Sequence, residues 1–243
     1  MVHHALTAIA GSDVVVGIVP LGTGNDFARA LGLPTDIEAA VEAALGEPTS
    51  IDVISTDDGR LAASVVTGGF SGRVNARAND LRFAPGQVRY VAATALELAQ
   101  LAPVELKLRI DDANHELESS LFAVANSCYF GGGMAICPDA DPADGLLDVT
   151  VVGPVSRLEL TKVLPRVFSG SHIDHPAVTV FRGAEVAIAT PAALWADGEP
   201  FVDGADSADE LGDELDGERE GRSTTILRAK PGALRVAGTL VGS

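Results

Sequence analysis

Two acids flank one glycine in Leu194-Trp195-Ala196-Asp197-Gly198-Glu199-Pro200. On an extended segment, side chains two apart share a face. One carboxylate can then raise the pKa of the other and leave it able to accept a proton. The same string also fits a hairpin turn with solvated acids. A second cluster, Asp139, Asp141, Asp144 and Asp148, puts four hard oxygen ligands into one loop. With nearby carbonyls these suit Mg²⁺ or Ca²⁺, although a surface turn that uses Asp for backbone hydrogen bonds fits as well. A third candidate is the turn Pro20-Leu21-Gly22-Thr23-Gly24, which follows an apolar run and leads into Asn25-Asp26. A strand, glycine turn and helix start aim backbone N–H groups at one spot and favour a phosphate there. Asp26, in the first helical turn, is stabilised by the helix dipole and can hold Mg²⁺ beside a nucleotide. A plain strand-to-helix turn capped by Asn or Asp has the same spacing.

The elements that must position these groups fall into two regions. Residues 2–9, 25–31 and 36–45 read as helices, and residues 14–19, apolar throughout, as a buried strand. From residue 51 the hydrophobic period moves towards two. Segments 51–55, 60–67, 104–111, 115–127, 146–152, 177–182 and 185–189 are the strand candidates, with helices around 87–101 and 156–168. Segments 224–229 and 233–237 add two strands around a Pro231-Gly232 turn. The fold class expected is α+β. A partial N-terminal α/β layer, residues 1–47, precedes a larger antiparallel β-rich, sandwich-like domain, residues 48–243.

Composition limits the partners. The chain has 243 residues, of which 47% are hydrophobic, enough for a proper core. Its net charge of −17 disfavours nucleic acid and gives no general pull towards anionic membranes. Much of the acid lies in residues 203–220, which read as a solvated, disordered insertion extending to about 222. No apolar run is long enough for a membrane span, and the first residues lack the basic start of a signal peptide. Cys128 and Cys137 read as free thiols. His3 and His4 point to different faces of a helix, and His172 and His175 flank a bland turn. Neither pair reads as a metal site.

The strings are more specific than their spacings. PLGTGNDFAR resembles the second signature of the diacylglycerol kinase-like lipid kinases, which include bacterial soluble diacylglycerol kinases and the sphingosine and ceramide kinases. Asn126, the run Gly131-Gly132-Gly133-Met134 and the loop Pro142-Ala143-Asp144-Gly145-Leu146-Leu147-Asp148 are similar to a second pattern of that family. Asp197-Gly198-Glu199 before a proline is similar to a third.

The resemblance implies an ATP- and Mg²⁺-dependent transfer to a lipid hydroxyl. Gly22, Thr23, Gly24, Asn25 and Asp26 would hold the nucleotide, joined by Asp52 in Ile51-Asp52-Val53. Glu199 would accept the hydroxyl proton with Asp197 beside it. A structural Mg²⁺ would rest on the Asp144 carboxylate and the carbonyls of Asp141 and Leu146. The partners implied are a lipid substrate, a membrane surface touched transiently and a second copy in a homodimer, with no nucleic acid. The location implied is the cytoplasm, peripheral at the membrane.

The family's Gly-Gly-Asp-Gly-Thr motif, which precedes a helix like residues 2–9, is absent from these 243 residues. The expectation is a chain truncated at its start, with half of the ATP site missing and little kinase activity of its own. The alternatives are a non-catalytic module that binds a lipid or a partner, and an NAD-kinase-like phosphotransferase.

Overall fold

In a computed structural model of the chain, residues 2–22, 24–68, 92–93, 96–97, 103–202 and 224–238 are described. Short helices come first. These are α1 (Val2–Ile9), α2 (Asp26–Ala30) and α3 (Ile37–Ala43), with β1 (Val15–Val16) after α1. The carboxylate of Asp36 caps α3 by accepting the Ala39 N–H at 3.0 Å. Strands then dominate: β2 (Pro48–Thr56), β3 (Leu61–Ala62), β4 (Val65–Gly68), β5 (Val104–Ile110), β6 (Ala113–Ser119) and β7 (Leu121–Ala125). They continue with β8 (Tyr129–Phe130), β9 (Met134–Ala135) and β10 (Leu147–Val152), followed by helix α4 (Arg157–Val167). The last are β11 (Val178–Gly183), β12 (Glu185–Ala189), β13 (Leu194–Ala196), β14 (Glu199–Val202) and β15 (Thr224–Ala237).

Two sheets face each other. One runs β3-β2-β15-β12-β5-β6 with β1 beside β15, the other β11-β10-β7-β4-β13-β14. Pairings among strands from β2 onward are antiparallel, and β1 alone among the described strands pairs in parallel. Alternate residues point inward from each sheet. Ile54, Leu106, Val186 and Leu227 of the first meet Phe122, Val124, Leu147 and Leu194 of the second in one buried cluster. Each such side chain contributes about 1.5–3 kcal/mol by leaving water. The outer face of the first sheet is covered by Phe27 and Leu31, packed on Ile51, Val53 and Val236. The outer face of the second is covered by Met134 and by Val167 of α4. This helix opens on a reciprocal cap between Ser156 and Glu159. The result is the expected α+β class with a sandwich-like body.

The middle of the sandwich has no slack. A methyl group on Gly68 would lie 2.1 Å from the Phe122 ring. Gly68→Ala should therefore lower Tm by about 2–12 °C, the equivalent of roughly 1–3 kcal/mol of overpacking. An unchanged melting curve would show that the ring has another place to go.

Several local expectations differ from what is observed. The apolar run 14–19 forms only the two-residue β1, pairing with Arg235 and Val236. It is not a buried strand, since Val14 is 52% exposed and Val15 41%. Among the described residues its one strand partner is β15. The expected strand 60–67 breaks at Ala63-Ser64, whose N–H groups bond the Asp197 side chain instead of a ladder. Segment 115–127 splits at Ser120, whose N–H donates to the Val152 carbonyl. Pro231-Gly232 is not a turn between two strands but a bulge inside the single strand β15, between Lys230 and Leu234. Residues 92–93 and 96–97 are helical, and the rest of the expected helix 87–101 lies outside the described residues. So do Thr23 and the acidic segment 203–222. Cys128 and Cys137 are free thiols. Burial pushes them up to about 11 and about 12, which leaves both unreactive at neutral pH.

Candidate active site

The glycine turn and the Gly131–Gly133 run meet at Asp26. Asn25 does not cap α2 with its side chain. It adopts the left-handed conformation at φ 53, and its Nδ2 donates to the Pro20 carbonyl at 3.1 Å. The turn before it is tight, because a Cβ on Gly22 would lie 2.9 Å from Asn25 Oδ1, and one on Gly24 3.3 Å from Asp26 Oδ2. Asp26 Oδ2 accepts the Gly132 N–H at 2.7 Å. Its Oδ1 is buried and has no partner among the described residues. Burial pushes the carboxyl above the usual carboxylate range, against the opposing pull of the Gly132 and Gly133 N–H groups and Arg29. Arg29 stacks over the Tyr129 ring at 5.6 Å. Gly133, at φ 103, leaves the room that guanidinium takes. An orphaned oxygen on a half-buried carboxylate is what a hard cation or a donor would complete. Asp26 therefore fits a Mg²⁺ carried by phosphates, which needs only one or two protein carboxylates.

Asp52 lies deeper, only 3% exposed. Its Oδ1 accepts the Gly232 N–H at 2.8 Å and its Oδ2 the Gly145 N–H at 2.7 Å. Its own N–H donates to the Pro142 carbonyl at 2.6 Å. One carboxylate thus ties β2 to the β15 bulge and to the Ala143-Asp144-Gly145 loop. Asn126 continues the chain of bonds. Its Nδ2 donates to the carbonyls of Asp52 at 2.8 Å and Ala63 at 3.2 Å.

Asp197 and Gly198 form the tight turn between β13 and β14, at φ 52 and 89. Positive φ at both central residues marks the hairpin turn that suits twisted strands. The alternation that would have put Asp197 and Glu199 on one face is therefore lost. The Asp197 carboxylate turns inward. It accepts the N–H groups of Ala63 at 2.7 Å, Ser64 at 2.8 Å and Val65 at 3.4 Å. Glu199 stays exposed at the start of β14. His3 of α1 sits with Nδ1 3.3 Å from Asp197 Oδ2. The hydrogen bond to Asp197 raises the His3 pKa, burial opposes it, and the charges of Asp197 and Glu199 add to the rise.

The acidic loop is already bonded. Asp141 Oδ1 accepts the Ala143 N–H at 3.0 Å and Asp144 Oδ1 the Leu146 N–H at 2.9 Å. Asp144 Oδ2 pairs with Arg182 at 2.9 Å. No group of three or more His, Cys, Asp or Glu side chains able to hold a metal occurs among the described residues. His172 is buried, with Nε2 3.1 Å from the Ile136 carbonyl, and His175 accepts the Ala177 N–H.

The structure thus brings Asp26 to the glycine run, and places Asp52 not beside Asp26 but between the acidic loop and the β15 bulge, where the Gly145 and Gly232 N–H groups take both its oxygens. The sequence pattern did not reveal Asn126 as the link between Asp52 and Ala63, His3 as the partner of Asp197, or Arg182 as the partner of Asp144. Those contacts join residues 63, 194 and 38 apart, and no local pattern reports them.

The YegS C-terminal NAD kinase beta sandwich-like domain matches residues 64–238, and the diacylglycerol kinase catalytic domain matches residues 1–56. The chain belongs to the diacylglycerol kinase-like lipid kinases. Among relatives of this lipid kinase is the diacylglycerol kinase of Mycobacterium tuberculosis. It is 37% identical over 207 residues, which cover 82% of this chain and 67% of that one. A probable YegS-like lipid kinase of Pectobacterium atrosepticum is 30% identical over 193 residues, covering 77% of this chain and 62% of that one. This lipid kinase chain therefore spans about two thirds of the length of its relatives. A solved structure of a putative diacylglycerol kinase from Bacillus anthracis str. Sterne superposes with a TM-score of 0.71. It covers 97% of this chain and 74% of that one at 20% identity, a likeness of fold. No helix among the described residues is long and apolar enough to cross a membrane.

The His3–Asp197 pair has a pH consequence. A histidine whose folded pKa is raised stabilises the fold fully below its unfolded value, 6.5, and that contribution is lost as pH rises through the folded value. The difference in unfolding free energy between the native chain and His3→Gln should shrink from pH 6 upward. It should start at no more than about 1 kcal/mol, because the pair is partly solvated. A difference that stays flat from pH 5 to 9 would remove the pair from the account.

Proposed function

We propose that this lipid kinase transfers the γ-phosphoryl group of ATP to the hydroxyl of a diacylglycerol-like lipid. The observation that carries the reading is the Asp26 carboxylate, half-buried beneath the glycine run with one oxygen unpartnered among the described residues. Gly22, Gly24 and Asn25 lie along the same turn and would receive the phosphates, with Thr23 assigned to the same role from the sequence. Bound Mg²⁺ would neutralise charge on the β- and γ-phosphates, the principal requirement of phosphoryl transfer. Asp26 supplies a hard oxygen for it. Asp52 acts through position, holding the loop and the bulge behind the site. Glu199, exposed to solvent and to an incoming lipid, takes the hydroxyl proton as the lipid oxygen bonds to phosphorus and the bond to ADP breaks. Asp197 fixes the turn that presents Glu199. Residues 1–47 serve as the nucleotide-binding layer and residues 48–243 as the lipid-facing domain. The enzyme would work in the cytoplasm, meeting its substrate at a membrane surface, with Mg²⁺ and ATP as its cofactors.

Labelled ATP with diacylglycerol, ceramide, sphingosine and phosphatidylglycerol in mixed micelles tests this. The assay compares the 243-residue chain with the same chain fused to the third of the tuberculosis relative that it does not cover. Labelled lipid is expected from the fusion. If neither protein labels any of the four lipids, the chain is a non-catalytic binding module. Transfer to NAD instead would make it an NAD-kinase-like phosphotransferase.

A further inference from the structure

The cation of the acidic loop is Arg182. It stands on β11 directly across from Asp148 on β10, where opposite charges on paired strands attract. Its Nη2 lies 2.9 Å from Asp144 Oδ2 and donates to the Asp139 carbonyl at 3.0 Å, and its Nε donates to Asp148 Oδ2 at 3.2 Å. One guanidinium thus binds three acceptors from the segment 139–148. The planar fork of five N–H groups suits this spread, which a compact ammonium could not span. The carboxylates are partly sheltered, with side chains 26% exposed at Asp144 and 15% at Asp148.

The resemblance to lipid kinases implies a structural Mg²⁺ on the Asp144 carboxylate. The one side-chain donor of that set is already taken here. Both Asp144 oxygens are engaged, one by the Leu146 N–H and one by Arg182. A divalent ion on that carboxylate would stand within a few ångströms of a permanent positive charge. The Asp141 carboxylate, as distinct from its carbonyl, is also engaged, by the Ala143 N–H. We propose that in this chain the Arg182 guanidinium replaces the loop metal, so that the loop carrying Gly145 onto Asp52 is held without a divalent ion. The proposal rests on the kinase reading only for the expectation of a metal at this loop. It confines any Mg²⁺ requirement to the nucleotide.

The test is thermal unfolding of the full chain without nucleotide, in EDTA and in millimolar MgCl₂ at matched ionic strength. It reads the fold and not activity, so it stands or fails apart from the kinase reading. The native chain is expected to melt at the same temperature in both buffers. Arg182→Gln is expected to melt about 3–8 °C lower in EDTA, as two sheltered carboxylates lose their partner. Either of two results overturns the proposal. One is a saturable rise of the native Tm with Mg²⁺ that persists in Asp26→Asn and disappears in Asp144→Asn. The other is an Arg182→Gln chain that melts with the native one.

Discussion

Glu199→Gln is expected to lower the rate of lipid phosphorylation about 10²–10⁴-fold, the usual worth of a positioned proton acceptor. ATP binding and Tm should hardly move. The amide matches the carboxylate in size but cannot take the hydroxyl proton. The hairpin turn has its anchors elsewhere, because Asp197 and Gly198 carry the left-handed backbone and the Asp197 carboxylate carries the bonds to Ala63 and Ser64. Asp197→Asn provides the contrast. It should lower both rate and Tm, since an amide offers one acceptor oxygen where two now receive the N–H groups of Ala63 and Ser64. A Glu199→Gln enzyme with full activity would return Glu199 to the solvated rim of a turn.

The largest effect on stability is expected at Asp52. Asp52→Ala strands the N–H groups of Gly145 and Gly232 and leaves a small polar void between β2 and the β15 bulge. Each buried N–H left without a partner costs about 1–3 kcal/mol. The sum, about 2–6 kcal/mol, corresponds to a Tm lower by roughly 4–24 °C. Asp52→Asn should lie between, because its amide must turn a donor towards one of two N–H groups. Chemical denaturation of the three proteins measures this. Equal midpoints for native and Ala chains would show that water replaces the carboxylate without loss.

Particular residues show how far local pattern reaches. Alternation along β5, β10 and β12 is a property of each strand alone, so those strands lie within a residue of where periodicity puts them. The glycine turn and the triple-glycine run were legible for the same reason, because their conformational demands are local. What failed was set from a distance. Pro-Gly normally turns the chain, but the Asp52 carboxylate, 180 residues upstream, catches the Gly232 N–H and keeps β15 in one sheet as a bulge. Residues 60–67 look like one strand until Asp197, 133 residues on, takes the Ser64 N–H. His3 beside His4 looks like a ragged start, yet its ring meets Asp197 across the molecule. Arg182 is one basic residue on a strand, and only the register of β10 against β11 brings it to Asp148.

The position of β15 in its sheet has a consequence for synthesis. It lies between β2 and β12 and also holds β1, yet it is the last strand of the described chain to leave the ribosome. Until residues 224–237 emerge, β2 and β12 each present an unsatisfied edge, and the sheet exists as two unjoined halves. The sandwich cannot close progressively behind the growing chain. Before those residues emerge, its open edges make it prone to stick to other chains, and it then zips shut around its own final strand.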